Sequence, residues 1–288
     1  MSTAEAQFDL LVVGGGINGA GIARDAAGRG LRTLLCEQHD LAAHTSSAST
    51  KLIHGGLRYL EFYDFRLVRK SLREREIVLD SAPHICWPLR FVLPHDAGQR
   101  PAWMIRIGLF LYDHLARRRR LPGSAGIDLR THPAGQPLES RYTQGFVYSD
   151  AWVDDARLVV LTAMDAREHG ATVLTRTRCA NLAPRGDGWA ATLRRDDGRE
   201  LAIEARAVVN ATGPWVDRFL DDATPVPARR HPRMVKGSHI VVPRLFEHEF
   251  AYIFQSPDGR IVFAIPYEGD YTLIGTTEMD YTGDLASP

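Results

Sequence analysis

Short apolar runs alternate with amphipathic stretches along this chain, and the order of the two kinds predicts its architecture. Residues 8–13 form a continuous apolar run, the pattern of a strand buried on both faces. A turn rich in glycine follows, then small residues (Ala20, Gly21, Ala23, Ala26, Ala27) that let a helix lie close to a sheet, with Gly28 and Gly30 as its stop. Residues 31–36 read as a second strand. Further along, 154–169 place apolar residues at helical spacing, open on acids and stop at Gly170, so a helix is expected there and a strand at 172–174. Three alternating segments, at 179–182, 189–194 and 200–204, predict a small meander with turns at Asp187-Gly188 and Asp197-Gly198. Residues 205–210 read as a separate strand. From Met234 the alternation returns at 239–242, 251–255, 261–265 and 271–275, predicting a second, antiparallel sheet.

Two stretches break this pattern. Residues 83–101 and 122–137 carry prolines throughout, and both are expected to be irregular connections. Between them 103–112 reads as an apolar helix closed by Arg117 to Arg120. Two placements are open: in a membrane interface, with the cations meeting anionic headgroups, or buried against a neighbour with a solvated basic end.

Composition narrows the function classes. The 288 residues are 44% hydrophobic, enough for one large domain or two smaller ones. Lysine plus arginine (35) equal aspartate plus glutamate (35), so no overall field draws the chain to nucleic acid and any cationic site is local. Cys36, Cys86 and Cys179 are too widely spaced for a disulfide framework or a zinc site, which fits a reducing compartment. The N-terminal residues do not read as a secretory signal, and no segment has the roughly 20 apolar residues needed to span a bilayer.

The chemistry begins at the glycines. Gly14-x-Gly16-x-x-Gly19 joins the first strand to the first helix with the spacing of a dinucleotide fingerprint, and Ile17 and Asn18 fill the first helical turn. Glu37 follows the second strand, about 20 residues on, where a carboxylate accepts hydrogen bonds from ribose hydroxyls and rejects a 2′-phosphate. NAD and FAD share this signature. The next loop separates them: Thr45, Ser46, Ser47 and Ser49 offer hydroxyls to phosphate oxygens, and Gly55-Gly56 permits close approach of a flat ring. Lys51, His54 and Arg58 then stand near whatever lies over that ring.

With these residues in view, LVVGGGINGAGIARDAAGRG, TSSASTKLIHGGLRYLE, RPAWMIRIGLFLYDHL, YSDAWVDDARLV, VVNATGPWV, KGSHIVVP and IGTT closely resemble the FAD-dependent, quinone-linked glycerol-3-phosphate dehydrogenases over residues 8–284. The resemblance implies an α/β two-dinucleotide-binding FAD fold: a Rossmann-like parallel sheet with a β-meander, plus an antiparallel-sheet substrate domain. The expected division is 1–82 and 150–214 for the FAD-binding domain, with 83–149 and 215–288 for the substrate domain. It implies oxidation of sn-glycerol 3-phosphate to dihydroxyacetone phosphate, with FAD passing electrons to a quinone, in a cytoplasmic protein held peripherally at the inner face of the cell membrane. Cofactor contacts are expected from Gly14, Gly16, Ile17, Asn18, Gly19, Glu37, Thr45, Ser46, Ser47, Ser49, Lys51, Leu52, Cys179 and the Ala211-Thr212-Gly213 turn. Asn210 and Thr212 themselves are expected to bond backbone. His54 or His239 is the expected base, Arg58 a fork for the substrate phosphate, and Tyr59 a pocket wall.

The sequence also departs from that family. It stops at Pro288, before the further cations, the late glycine-lysine-threonine motif and the helical C-terminal domain of longer relatives. The expectation is a C-terminal portion missing, an FAD sheet lacking its last strand, and little turnover from these residues alone. An amine oxidase of the same architecture, acting on D-amino acids or glycine, is the chemically distinct alternative. Its substrates need one cation for a carboxylate, whereas Lys51, His54, Arg58, Lys236 and His239 together suit a phosphate dianion better.

Overall fold

The computed structural model describes residues 6–96, 98–256 and 260–285. In chain order the regular elements begin with strand β1 (Ala6–Val13), helix α1 (Ile17–Gly28), β2 (Thr33–Cys36), β3 (Leu52–Ile53) and α2 (Phe65–Ser81). Next come β4 (Cys86–His95), α3 (Ala102–His114), β5 (Ala125–Asp128), β6 (Gln144–Val153), α4 (Asp155–Glu168), β7 (Thr172–Leu174), β8 (Thr177–Arg185) and β9 (Gly188–Arg195). The chain continues through β10 (Glu200–Asn210), α5 (Val216–Ala223), β11 (Val235–Lys236), β12 (His239–Pro243), β13 (Ala251–Gln255), β14 (Ile261–Tyr267), β15 (Tyr271–Gly275) and β16 (Met279–Asp280). They form two compact units. The first takes in residues up to Ser49, Asp154–Met234 and the chain from Thr282; the second is Thr50–Val153 with Val235–Tyr281.

In the first unit one sheet runs β7-β2-β1-β10-β9-β8. Its first four strands are parallel, and β10-β9-β8 is an antiparallel meander. The apolar run of β1 buries Leu11, Val12 and Val13, and the small face of α1 (Gly19, Ala20, Ala23, Ala26, Ala27) is buried too. Helix α1 stops where Gly30 turns to φ +82°, with Gly30 and Leu31 donating back to Ala27 and Ala26. Asp154 caps α4 by accepting the Arg157 amide.

In the second unit the sheet runs β12-β15-β14-β13-β4-β6-β3, with β5 also on β6, and β11 and β16 pair separately. Most pairs are antiparallel, but β13 runs parallel to β4, which the sequence reading of a purely antiparallel sheet does not anticipate. The long strand β4 corrects the expectation of an irregular 83–101. Its prolines Pro88 and Pro94 lie opposite Ala151 and Gly145 of β6, while β13 pairs β4 only at Phe91 and Val92, leaving proline tolerable on that side. Residues 122–137 likewise hold β5 and a single 3₁₀ turn, Pro133–Gly135. The expected strands 200–204 and 205–210 are one strand, β10, whose partner changes along its length: β9 pairs 200–205 and β1 pairs 203–210.

The unit boundaries also differ from the sequence-based division. The first break falls at Ser49 instead of 82, because β3 pairs with β6 and α2 packs on β4 within the second sheet's core. The last falls near Met234 instead of 214, because α5 and its flanks stay with the first unit, where Phe219 packs on the core beneath β8.

The second unit contains an aromatic cluster with two histidines. The His248 Nε2 lies 2.9 Å from the Tyr252 hydroxyl, and His132 packs edge-on to Phe250. Burial lowers both histidines from their ordinary value of 6.5, and it does the same to His44 and His239. A histidine depressed by folding binds its proton more weakly in the folded state, so its contribution is intact above the unfolded value of 6.5 and is lost as pH falls through the lower folded value. The melting temperature is therefore expected to be flat above about pH 7 and to fall progressively below about pH 6.5, with a shallower slope in His248→Gln. A melting temperature that rises on acidification from neutral would contradict this.

Candidate functional site

Between β1 and α1 the chain makes a tight bend, and two glycines are required there. Gly14 has φ +112°, and a Cβ on it would overlap the Ala211 carbonyl; a Cβ on Gly19 would overlap the Gly14 carbonyl oxygen. The bend, the first turn of α1 and the end of β10 thus touch backbone to backbone. Gly16 caps α1 without a side chain, and no acid sits in the first turn, so the positive end of the helix dipole is left for an anion.

Glu37 closes the mouth of this bend. One carboxylate oxygen accepts the Gly15 amide at 2.7 Å and the other accepts the His39 amide at 2.7 Å. Each oxygen keeps further lone-pair capacity, which suits a ribose diol. On the other side Ser46 Oγ accepts the Ile17 amide at 3.0 Å. A cavity of about 300 Å³ opens here, lined by Gly14, Gly16, Glu37, Thr45, Ser46, Cys179 and the Ala211 to Gly213 turn, all within the first unit. Asn210 shapes that turn: its Nδ2 donates to the Val216 carbonyl, and its Oδ1 accepts the Thr212 hydroxyl at 2.7 Å. Burial pushes the Cys179 thiol up to about 12, so it is a neutral apolar wall and no nucleophile.

Not every expected cofactor residue joins this cavity. Ile17, Asn18 and Gly19 contribute backbone to the helix start without lining it. Ser47 donates to the His44 carbonyl, and Ser49 donates to Asp155 at 2.7 Å, so both hydroxyls hold protein. Lys51 and Leu52 belong to the second unit. The sequence reading missed part of the wall: His39 Nδ1 lies 2.9 Å from His44 Nε2, and the His44 ring packs 4.6 Å from Trp215. Burial, then the neighbouring His39, lowers the His44 pKa. No local pattern marks His39 or His44, and Trp215 lies in the VVNATGPWV string without a cue to this role.

The second unit carries the proposed substrate groups. Lys51 sits at φ +59°, and its carbonyl accepts the Val153 amide. Past β3, His54, Arg58 and Tyr59 are exposed, Gly55 is buried, and Arg58 pairs with Glu278 at 3.6 Å. His239 begins β12 half-buried, its Nε2 2.9 Å from the Thr50 hydroxyl. Burial, then Lys51, lowers its pKa, so the ring is neutral at physiological pH. Opposite it in the ladder stands Gly275, where a Cβ would overlap the His239 ring.

A parallel sheet with a meander, a glycine bend opening a helix and a carboxylate at the end of β2 define a dinucleotide-binding oxidoreductase unit. Comparison with known proteins narrows the class. The chain belongs to the FAD-dependent oxidoreductase family, whose model matches residues 9–288. It is 61% identical, over 97% of its length, to 54% of a glycerol-3-phosphate dehydrogenase of Pseudomonas aeruginosa, and 55% identical, over 96%, to 55% of a D-erythritol 1-phosphate dehydrogenase of Brucella abortus. The glycerol-3-phosphate dehydrogenase of Bacillus halodurans, solved in complex with FAD, superposes with a TM-score of 0.76 at 32% identity, covering all of this chain and 50% of that one. The chain spans about half the length of the curated relatives it matches. The two-dinucleotide-binding α/β architecture read from the sequence agrees with these findings.

Proposed function

We propose that the chain binds FAD through the first unit and takes part in oxidising sn-glycerol 3-phosphate to dihydroxyacetone phosphate, with the electrons going on to a quinone. The glycine bend and the α1 N-terminus would hold the pyrophosphate, Glu37 the ribose, and the turn at Ala211 would make room beneath the cofactor. Bound FAD supplies the acceptor for the hydride that an alcohol carbon must lose.

The residues of the second unit fit the rest of the chemistry. One observation carries the reading: His239 is neutral, half-buried and hydrogen-bonded to Thr50, at the start of the Lys51, His54, Arg58 loop. A neutral imidazole accepts the hydroxyl proton, and Thr50 fixes the ring. Arg58 meets the phosphate as a bidentate fork. Its partner Glu278 is exposed, and an exposed pair is worth at most about 1 kcal/mol, so a phosphate dianion displaces it. Tyr59, exposed on the same turn as Arg58, would stand beside the bound substrate.

Similarity to the erythritol phosphate enzyme supports a longer polyol phosphate as a second substrate. A D-amino acid or glycine brings a single carboxylate charge, a poorer match than a phosphate dianion to the Lys51, His54, Arg58 loop. Thermal shifts of FAD-loaded protein separate the substrates: glycerol 3-phosphate and D-erythritol 1-phosphate are expected to stabilise it, and glycine and D-alanine to do nothing. Stabilisation by the amino acids alone would sink the reading.

Peripheral attachment at the inner face of the cell membrane, from the cytoplasmic side, is part of the same proposal. No helix among the described residues is long and apolar enough to cross a bilayer. Helix α3 buries Leu109 and Tyr112 but exposes Trp103 (64%) and Phe110 (55%), with Met104, Ile107 and Leu111 also exposed. Its basic end is partly neutralised, since Arg118 pairs with Asp113 and Arg119 and Arg120 pair with Asp80. Attachment through α3 is thus driven by apolar contact more than by charge. Trp103→Ser with Phe110→Ser is expected to cut co-sedimentation with anionic vesicles by more than about tenfold, while 0.5 M salt, on the order of a 4 Å Debye length, changes wild-type binding little. Release by salt alone would contradict an apolar anchor.

A further inference from the structure

A buried polar chain in the second unit ends on the loop that carries His54 and Arg58. The Tyr112 hydroxyl, on α3, donates to Asp150 Oδ1 at 2.7 Å, and Arg75 Nη1, on α2, donates to the same oxygen at 2.6 Å. Arg75 also donates to the Ser149 carbonyl, and its guanidinium lies over the Tyr112 ring at 5.8 Å. All three side chains are almost wholly enclosed: Arg75 is 1% exposed, Tyr112 2% and Asp150 3%. At the far end the Gly55 amide donates to the Tyr112 hydroxyl at 2.7 Å.

The direction of these bonds matters. A phenol has one proton, and here Asp150 takes it, so the oxygen facing Gly55 can only accept. Asp150 therefore fixes Tyr112 in the one orientation that holds an amide, and Arg75 fixes Asp150. Burial, then Asp150, raises the Tyr112 pKa well above its ordinary value, which keeps the phenol protonated. Gly55 has no room to slide, since a Cβ there would overlap Leu72 and lie 2.7 Å from the Tyr112 hydroxyl. The loop leaves this anchor through Gly56 at φ +71°, whose carbonyl accepts the Tyr59 amide and opens the 3₁₀ turn Leu57–Phe62.

Stability alone does not account for such a cluster. Desolvation takes back most of the Coulomb gain of a buried ion pair, and an apolar trio of the same volume is often as stable. The buried Arg75 Nε has no hydrogen-bond partner, which adds to the cost. What polar groups add is a fixed direction.

We infer that Tyr112, oriented by Asp150 and Arg75, is a positioning residue that pins the Gly55 amide and thereby sets where His54 and Arg58 stand for a phosphorylated substrate. The substrate half of this statement rests on the proposed function; the pinning does not.

The test is Tyr112→Phe, which keeps the ring and its packing. Three readouts are taken on the FAD-loaded protein: amide hydrogen exchange, glycerol 3-phosphate affinity and FAD affinity. Exchange at Gly55 is expected to accelerate at least about tenfold while the amides of β4 and β6 keep wild-type protection, and FAD affinity to stay within about twofold. Substrate affinity is expected to fall at least about tenfold. Unchanged exchange at Gly55 overturns the inference, as does acceleration spread evenly through β4 and β6, which would mark a merely structural role. Should the wild type bind no glycerol 3-phosphate, the proposed function fails and the exchange result alone decides the pinning. Should Tyr112→Phe not fold, Gly55→Ala pushes on the same hydroxyl from the loop side; wild-type loop exchange in that variant overturns the inference equally.

Discussion

Gly19→Ala is expected to strip the protein of FAD, while Gly21→Ala, on the same helix, is expected to leave binding untouched. The two substitutions add the same methyl group. At Gly19 it would overlap the Gly14 carbonyl oxygen, a backbone atom that no rotamer change can move aside; at Gly21 it meets nothing within 4 Å. Relief at Gly19 requires α1 to lift from the bend, which withdraws the amides that would hold a pyrophosphate. Two charge-assisted hydrogen bonds lost at about 1.5 kcal/mol each amount to about a hundredfold in affinity. The apo protein should also melt several degrees lower, because overpacking of this kind costs about 1–3 kcal/mol. Gly21→Ala should hold its melting temperature or raise it, since alanine is favoured over glycine inside a helix by about 1 kcal/mol. FAD titrations and thermal melts of both variants check the pair. Equal effects at the two positions would mean that the bend does not contact the cofactor.

The second large effect is expected at His239. His239→Asn replaces the proposed base but leaves Thr50 a polar partner, so the anaerobic flavin reduction by glycerol 3-phosphate that the proposed function requires should slow by about 10² to 10⁴ with FAD still bound. His54→Asn should slow it far less, because His54 is exposed whereas His239 is half-buried against Thr50. The sequence leaves these two histidines level; the partial burial of His239 and its contact with Thr50 are the grounds for ranking it first. The pH profile gives an independent reading. Burial and Lys51 lower the His239 pKa, so the wild-type rate should persist below pH 6.5 before falling as the ring protonates. Loss of rate in His54→Asn with His239→Asn unaffected would exchange the roles, and full rates in both would remove a histidine base.

What could be read from sequence follows from how local each feature is. The β1, glycine bend, α1, β2, Glu37 unit lies within the 32 residues from Ala6 to Glu37, and each part has a pattern of its own: an apolar run, a fixed glycine spacing, small residues on one face, a terminal acid. The structure repeats it nearly residue for residue. Strand β4 was hidden by its prolines, because only its pairing with β6 and its scant contact with β13 make Pro88 and Pro94 acceptable. The compact units break elsewhere than the expected division for a related reason, since β3 is two residues long and takes its identity from Trp152 and Ala151, about 100 residues away. Side-chain partners across such distances leave no mark on the sequence. Ser49 resembles a phosphate ligand until Asp155 is beside it, Arg119 and Arg120 resemble a free basic patch until Asp80 pairs with them, and Tyr112 resembles an ordinary core aromatic until its hydroxyl is found under Gly55. His44 had no signal at all, and Trp215 stood inside the VVNATGPWV string with nothing to mark it as a cavity wall.

The first unit is expected to hold FAD as a dinucleotide, by the bend and by Glu37. Competitive titration of the apo protein with FAD, FMN and NAD⁺, followed by flavin fluorescence, checks this. The expected result is saturable FAD binding that NAD⁺ does not displace, FMN binding at least about a hundredfold weaker for want of the adenosine half, and FAD affinity about tenfold lower in Glu37→Ala. FMN binding as tightly as FAD, or NAD⁺ displacing FAD at comparable concentration, would contradict it.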